Sequence, residues 1–311
     1  MAHAGVSSKP ARSNSERDFP PAPVLAILHA HSVLARTTRS EDSAGLALDW
    51  VELVVRHMED SGRTNAGVGA VRQADGVARR DASVQRGDTL ACGAASSLRN
   101  ARNPVSVARA VMEKTRHCHL AHDFAEARAK EWGLSFLGEG GATTGPARVT
   151  DEGDTVGATC CAFGGLAAAT STGGLAGSDP GRVGDSCVIG AGTYANERAA
   201  ASLTGRGEDV VKLCGAKRVV DLVAHHRHSP AAATRKFVAE FSSRFDSVVG
   251  AICVDAKGRW GVAFRGARMN WCAARFSSSR GAGGQFVLKP IELVRGSKKR
   301  EKIAFPFPSD D

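Results

Sequence analysis

The sequence predicts an α+β protein with two stacked β-sheets, each covered on its outer side by helices: a four-layer αββα sandwich. Apolar runs of strand length flank each half of the chain, with amphipathic stretches of helix length between them. Composition agrees, with 35 glycines against 12 Phe, 4 Trp and a single Tyr, as in loop-rich sheet proteins. A chain of 311 residues can bury one large core. Residues 24–311 therefore read as a single domain. A Ser-, Arg- and Pro-rich leader over 1–23 has no periodicity and is expected to be disordered.

Taken in order, Val24–Leu28 reads as a short buried strand. Ser43 to Asp60 is an amphipathic helix, with Ala47, Val51, Val54, Val55 and Met58 on one face. Gly69–Gln73 and Gly76–Asp81 read as a strand pair. Asn103-Pro104 opens a helix running to about Thr115, with proline in the first turn, and Ala121 to Trp132 forms another. Residues 135–153 are rich in Gly and Thr and read as an exposed connection. Thr155–Ala162 and Leu166–Ser171 form a hairpin. Glu208 to about His228 is helical, Ser229-Pro230 breaks it, and Ala231–Phe245 is helical again. Val248–Val254 and Trp260–Phe264 close a second hairpin.

The formal net charge is +9. Its arginines are scattered, and the one dense cluster is Lys298-Lys299-Arg300-Glu301-Lys302. With little aromatic interleaving for base stacking, this is a basic surface rather than a nucleic-acid site. The eight cysteines form no C-x-x-C, and several lie in apolar runs, as reduced buried thiols do. No stretch approaches membrane-spanning length and no apolar signal segment is evident. A cytoplasmic protein without membrane contact is expected.

Four runs carry chemistry. Thr155-Val156-Gly157-Ala158 is an apolar strand opening on a threonine, and Ala168 to Gly174 is a strand ending in hydroxyls and glycines. Pro180 to Ser186 places Arg182 and Asp185 in a Gly-rich loop, and Thr204-Gly205 turns into a helix at Glu208. Together they suit acyl transfer on a small zwitterion. Thr155 is the candidate nucleophile, which needs a nearby base to take its proton, and Thr172 is a hydroxyl partner on the next strand. Arg182 offers a planar fork for a carboxylate and Asp185 a partner for an ammonium. Backbone N–H groups at Thr204 and Gly205 can face an oxyanion. Each residue also has an ordinary reading: strand hydroxyls for the threonines, a mutual ion pair for Arg182 and Asp185, a loop cap for Asn65. The residues alone leave both open. Asp221, His225, His226 and His228 lack a second ligand cluster and read as a solvated helix end rather than a metal site. His117-Cys118-His119 reads the same way.

The order and spacing of these runs add more. Asp154-Thr155-Val156-Gly157-Ala158, Thr170-Ser171-Thr172-Gly173-Gly174, Gly181-Arg182-Val183-Gly184-Asp185-Ser186 and Thr204-Gly205-Arg206-Gly207-Glu208 follow Thr64-Asn65-Ala66-Gly67-Val68-Gly69 and Asp81-Ala82-Ser83. The set resembles the plant-type asparaginase / isoaspartyl peptidase family of N-terminal-nucleophile hydrolases, densely from Asn65 to Glu208 and traceably to Asn270.

The resemblance implies the αββα fold of that class and self-cleavage between Asp154 and Thr155. The products would be an α chain (1–154, with a linker over about 135–154) and a β chain (155–311). The freed α-amine of Thr155, with a reference pKa near ~8, would serve as the base. It further implies Thr172, Asn65, Thr204 and Gly205 around the nucleophile, with Arg182 and Asp185 on substrate. Hydrolysis of L-asparagine and β-aspartyl dipeptides is expected, in a homodimer of αβ units. No cofactor is implied beyond a structural sodium on backbone carbonyls of Glu59–Thr64.

Three departures qualify this picture. Arg206 stands where the family has His. Asp154 stands where asparaginases have Gly, as in taspase-like endopeptidases. The family's His-Gly-Gly-Ala-Gly turn does not follow Val24–Leu28, and the next helix is short. This last break supports a second reading, a catalytically silent, unprocessed homologue acting as a binding or dimerisation partner. Lysosomal glycosylasparaginases differ by T-S-T-N-G at Thr170–Gly174.

Overall fold

The computed structural model describes residues 1–7, 22–34, 42–138, 155–280, 286–296 and 300–302. Nine strands form one sheet and four the other. The larger contains β1 (Ala2–Ser7), β2 (Arg80–Arg86), β3 (Cys92–Leu98), β4 (His119–Ala121), β5 (Val156–Ala162), β6 (Gly165–Thr172), β11 (Arg268–Arg280), β12 (Phe286–Gly296) and β13 (Arg300–Lys302). The smaller contains β7 (Thr193–Ala195), β8 (Ala199–Gly205), β9 (Val249–Asp255) and β10 (Trp260–Arg265). Helices α1 (Ala22–Leu34), α2 (Ser43–Asp60), α3 (Pro104–Lys114) and α4 (His122–Glu131) pack on the larger sheet. Helices α6 (Gly215–Ala224) and α7 (Pro230–Arg244), after the short α5 (Gly207–Lys212), pack on the smaller. Strands β5, β6 and β1 meet β8 across the interior. The four layers are those the sequence predicts.

Helix α2 spans the predicted residues. Asp42 caps it by accepting the Gly45 N–H at 2.8 Å, and its apolar face, including Val51, Val54 and Met58, is buried over β5 and β6. Helix α7 starts at Pro230 behind a Ser229 cap, and the hairpins β5–β6 and β9–β10 lie where expected.

Four expectations need correction. Residues 1–23 are not wholly a disordered leader. Ala2–Ser7 is a strand wedged between β5 and β11, antiparallel to both, and His3 is fully buried. Val24–Leu28 is not a strand but part of α1. The apolar run continues through Ala30 to Leu34, and a short apolar run does not distinguish a strand from a helix buried on most sides. The strand that flanks β5 just after Thr155 is β1, not Val24–Leu28. The third correction concerns Gly69–Gln73 and Gly76–Asp81, which share only the bridge Arg72–Ala78. Here Ala74 instead donates its N–H to Ser178, tying this turn to the loop that carries Arg182. Finally, the helix expected over Glu208–His228 is two helices, α5 and α6, separated at Cys214, whose φ is +47°.

At their centre the two sheets meet through small residues and hydroxyls, with Leu166 and Val254 on one side and Met269, Ile252, Trp260 and Trp271 on the other. Ser83 Oγ lies 2.6 Å from the Ser186 carbonyl and 2.8 Å from Thr193 Oγ1. Thr193 donates to Thr170 Oγ1 at 2.6 Å, and Thr170 lies 2.8 Å from Ser202 Oγ and 3.1 Å from the Gly192 carbonyl. Ser202 Oγ then meets His3 Nε2 at 2.9 Å. Gly157 is required here, since a Cβ would stand 2.6 Å from His3 Nε2 and closer still to Ser202 Oγ. Burial pushes the His3 imidazole down to about 3, so it is neutral at any working pH.

Candidate active site

Thr155 immediately precedes β5, in register opposite Thr172 at the end of β6, which in turn pairs with Asp81 on β2. Three central strands thus present Thr155, Thr172 and Asp81 in a row at one end of the large sheet. Thr155 is 5% exposed, and its hydroxyl donates to Thr172 Oγ1 at 3.1 Å. Thr172 Oγ1 also accepts the Gly174 N–H at 3.1 Å. The pair is therefore held by strand register, not by chance proximity. Asp154 lies outside the described residues.

Asn65 is not a simple cap. Its Nδ2 donates to Gly174 O at 2.8 Å, its Oδ1 accepts the Val71 N–H at 3.0 Å, and its carbonyl accepts the Gly173 N–H at 2.8 Å. It stitches the loop after α2 to the turn that positions Thr172. The fully buried Arg80 anchors the same loop from beneath, donating from Nε to Gly67 O at 2.6 Å and from its guanidinium to Arg99 O.

Arg182 and Asp185 converge without pairing with each other. Arg182 Nε donates to Glu208 Oε1 at 2.9 Å, and its guanidinium lies over Gly184, Gly174 and Gly207. A Cβ on Gly207 would stand 2.8 Å from Asp185 Oδ1 and 2.9 Å from the Arg182 guanidinium. Asp185 is 4% exposed, and its Oδ2 is buried with no hydrogen-bond partner among the described residues. Such an oxygen is costly unless a ligand donor reaches it. Gln73 fixes the loop, its Oε1 accepting the Gly181 N–H at 3.1 Å and its Nε2 donating to Arg182 O at 3.3 Å. Thr204 and Gly205 end β8. Gly205 has φ +138°, which L side chains rarely adopt, and a Cβ there would also run into Val248 and Val249.

Electrostatics mark the same place. Burial pushes the Asp185 carboxyl up to about 7 and Asp81 up to about 6, with the Arg182 charge pulling both back. Glu208 is held below its usual value by its bond to Arg182. If Asp185 is the partner of a substrate ammonium, it must be ionised to bind it. Apparent affinity for an amino-acid substrate should therefore rise with pH through about 7 and weaken about tenfold per unit below it. A kcat/KM profile from pH 5 to 8.5, alongside the competitive Ki of L-aspartate, checks this, and a flat Ki contradicts it.

Sequence reasoning passed over three buried groups. Asp81 accepts the Ser97 N–H at 2.8 Å and faces the Gly184 N–H, holding the Arg182–Asp185 loop. Its motif was visible, but not its burial. Glu59, pushed up to about 8 by burial, accepts the Val105 N–H at 3.1 Å and faces Ser171, next to Thr172. His3 carried no signal at all. Asp221 is taken by Lys217 at 2.7 Å, and among the described residues no group of three or more His, Cys, Asp or Glu could hold a metal. None of the eight cysteines is in a disulfide among the described residues. No described helix is long and apolar enough to cross a membrane.

The sequence model of a family described as asparaginase matches residues 25–145 and 138–281. A plant-type L-asparaginase of Thermococcus kodakarensis is 38% identical over 247 residues, covering 70% of this chain and 80% of its own. The isoaspartyl peptidase/L-asparaginase of Danio rerio is 35% identical over 249 residues, 74% of this chain and 80% of its own. A probable isoaspartyl peptidase/L-asparaginase of Drosophila pseudoobscura pseudoobscura is 34% identical over 257 residues, with 73% and 79% covered. With Thr155 bonded to Thr172 at one end of an αββα sandwich, and matches spanning most of its length, the chain belongs to the asparaginase family of N-terminal-nucleophile hydrolases.

Proposed function

We propose that the protein is a hydrolase of L-asparagine and β-aspartyl dipeptides that first cleaves its own chain between Asp154 and Thr155. The observation that carries this is the convergence of the Thr155–Thr172 pair with Arg182 and the partnerless buried oxygen of Asp185. Relatives named for both activities support it. In maturation the Thr155 hydroxyl attacks the Asp154 carbonyl carbon, its proton passing to the departing Thr155 nitrogen. Water then hydrolyses the ester, leaving an Asp154 carboxyl and a free Thr155 amine. In turnover that amine takes the hydroxyl proton as Oγ attacks the substrate β-carbonyl. The C–N bond breaks, the leaving amine takes the proton, and water releases aspartate from the ester on Thr155. Thr204 and Gly205 face the oxyanion, Arg182 takes the α-carboxylate and Asp185 the α-ammonium.

The decisive assay pairs intact mass of purified protein with aspartate release from L-asparagine and a β-aspartyl dipeptide. Two fragments and aspartate are expected. An uncut chain that releases none after prolonged incubation overturns the reading and leaves the silent homologue. We further read the mature protein as a cytoplasmic homodimer of αβ units, which light scattering and cell fractionation test.

We take the loop after α2 as the candidate seat of a sodium ion. The Gly62 carbonyl lies 3.0 Å from where a Cβ on Gly69 would stand, with Thr64 O closer, and Glu59 O lies 2.6 Å from that point on Gly67. Glycines thus leave room for carbonyl oxygens, the ligands hard cations prefer. The ion would brace the Asn65 loop, supplying charge but no chemistry. Exchange from potassium into sodium should raise Tm by a few degrees, and an unchanged Tm removes the ion from the account.

A further inference from the structure

Arg206 has no role in the machinery above, yet it occupies the residue after the Thr204–Gly205 turn. Its backbone N–H is fixed on Val248 O at 3.1 Å, so the start of the side chain is well placed. The guanidinium stands at the rim, its side chain 58% exposed and its Nε 3.9 Å from Glu208 Oε2. Glu208 is already committed through Oε1 to Arg182 at 2.9 Å. The neighbouring acid, Asp209, is engaged by Lys212 at 3.0 Å and Ser247 at 2.8 Å. Arg206 is therefore a cation at the mouth of the site with no closely bonded acid of its own among the described residues.

The two proposed substrates differ where that cation stands. Both present the same aspartyl half to Arg182 and Asp185. L-Asparagine departs as ammonia, whereas a β-aspartyl dipeptide departs as an amino acid with a free carboxylate, reaching outward from the scissile bond. We infer that Arg206 binds the carboxylate of the leaving amino acid and makes the site selective for β-aspartyl dipeptides that end in a free carboxylate. This rests on the hydrolase reading above. A guanidinium fork matches a carboxylate, and an exposed charged pair of this kind contributes up to about fivefold in apparent affinity, screened by salt.

The test uses the self-cleaved protein with β-aspartyl-leucine, its C-terminal amide β-aspartyl-leucinamide, and L-asparagine. Wild type should favour the acid over the amide about two- to fivefold in kcat/KM, less so in high salt. Arg206→Gln should bring the acid-to-amide ratio near one, and Arg206→Lys should restore part of it. Since the acid and amide differ only at the outer carboxylate, a general loss of folding or turnover cannot mimic this ratio. Equal rates for acid and amide in wild type, or a ratio unmoved by Arg206→Gln, overturn the assignment while leaving the hydrolase reading intact. Failure of the cleaved protein on all three substrates overturns both.

Discussion

Thr155→Ala should migrate as one uncut chain and release aspartate at least about 10⁴-fold more slowly than wild type. On the proposed mechanism the substitution removes both the group that attacks the Asp154 carbonyl and, by blocking cleavage, the α-amine that acts as base. Loss of one hydroxyl from a buried strand end costs the fold little by comparison. Its hydrogen-bond partner Thr172 still accepts the Gly174 N–H, so circular dichroism and Tm should stay close to wild type. Thr155→Ser keeps the oxygen and should still give two fragments, more slowly. If Thr155→Ala splits at the same bond, another residue performs the cleavage and the N-terminal-threonine mechanism is wrong.

The second large effect is expected at Arg182. On the proposed reading Arg182→Ala removes the fork for the α-carboxylate, and it takes from Asp185 and Glu208 the positive charge both feel. Truncating one member of a buried charged pair costs about 2–5 kcal/mol, so kcat/KM for L-asparagine should fall about 10²–10³-fold, chiefly through KM. Arg182→Lys keeps the charge but not the fork, and should recover only part of the loss. The carboxyl of Asp185, now without the nearby positive charge, should titrate still higher and displace the pH profile upward. Steady-state kinetics over a pH series measures both. An unchanged KM would move the carboxylate site elsewhere.

The readable parts of the chain were those whose signals are local. Asp42 before Ser43 and Ser229-Pro230 before Ala231 announce helix starts in the side chains themselves, and α2 and α7 begin there. The order of glycines, hydroxyls and charges from Thr155 to Glu208 placed Thr155, Thr172, Arg182 and Asp185, and the structure brings them together. What escaped depends on tertiary placement. Strand β1 is a few residues that gain meaning only by lying between β5 and β11. Helix α1 is apolar on most sides because it is covered on most sides, which removes the periodicity a reader relies on. The perturbed carboxyls of Glu59 and Asp81 are products of burial, and no sequence window displays burial.

The hydroxyl chain between the sheets has a consequence in simple proton arithmetic. Ser83, Thr170, Thr193 and Ser202 own four hydroxyl protons. Their contacts with Ser186 O, Gly192 O, one another and His3 number six. The row is short of protons, and His3 decides by how much. With its hydrogen on Nε2 the imidazole supplies a fifth proton; with its hydrogen on Nδ1, two contacts are left as opposed lone pairs. The same imidazole also faces the backbone of Thr155, which favours a proton on the ring, so the hydroxyl row and the Thr155 backbone draw on one imidazole hydrogen. The demand on that hydrogen thus reaches from β5 to Ser83, 80 positions from His3 in sequence. A change of hydroxyl inventory anywhere along the seam alters the hydrogen-bonding character of the wall behind Thr155.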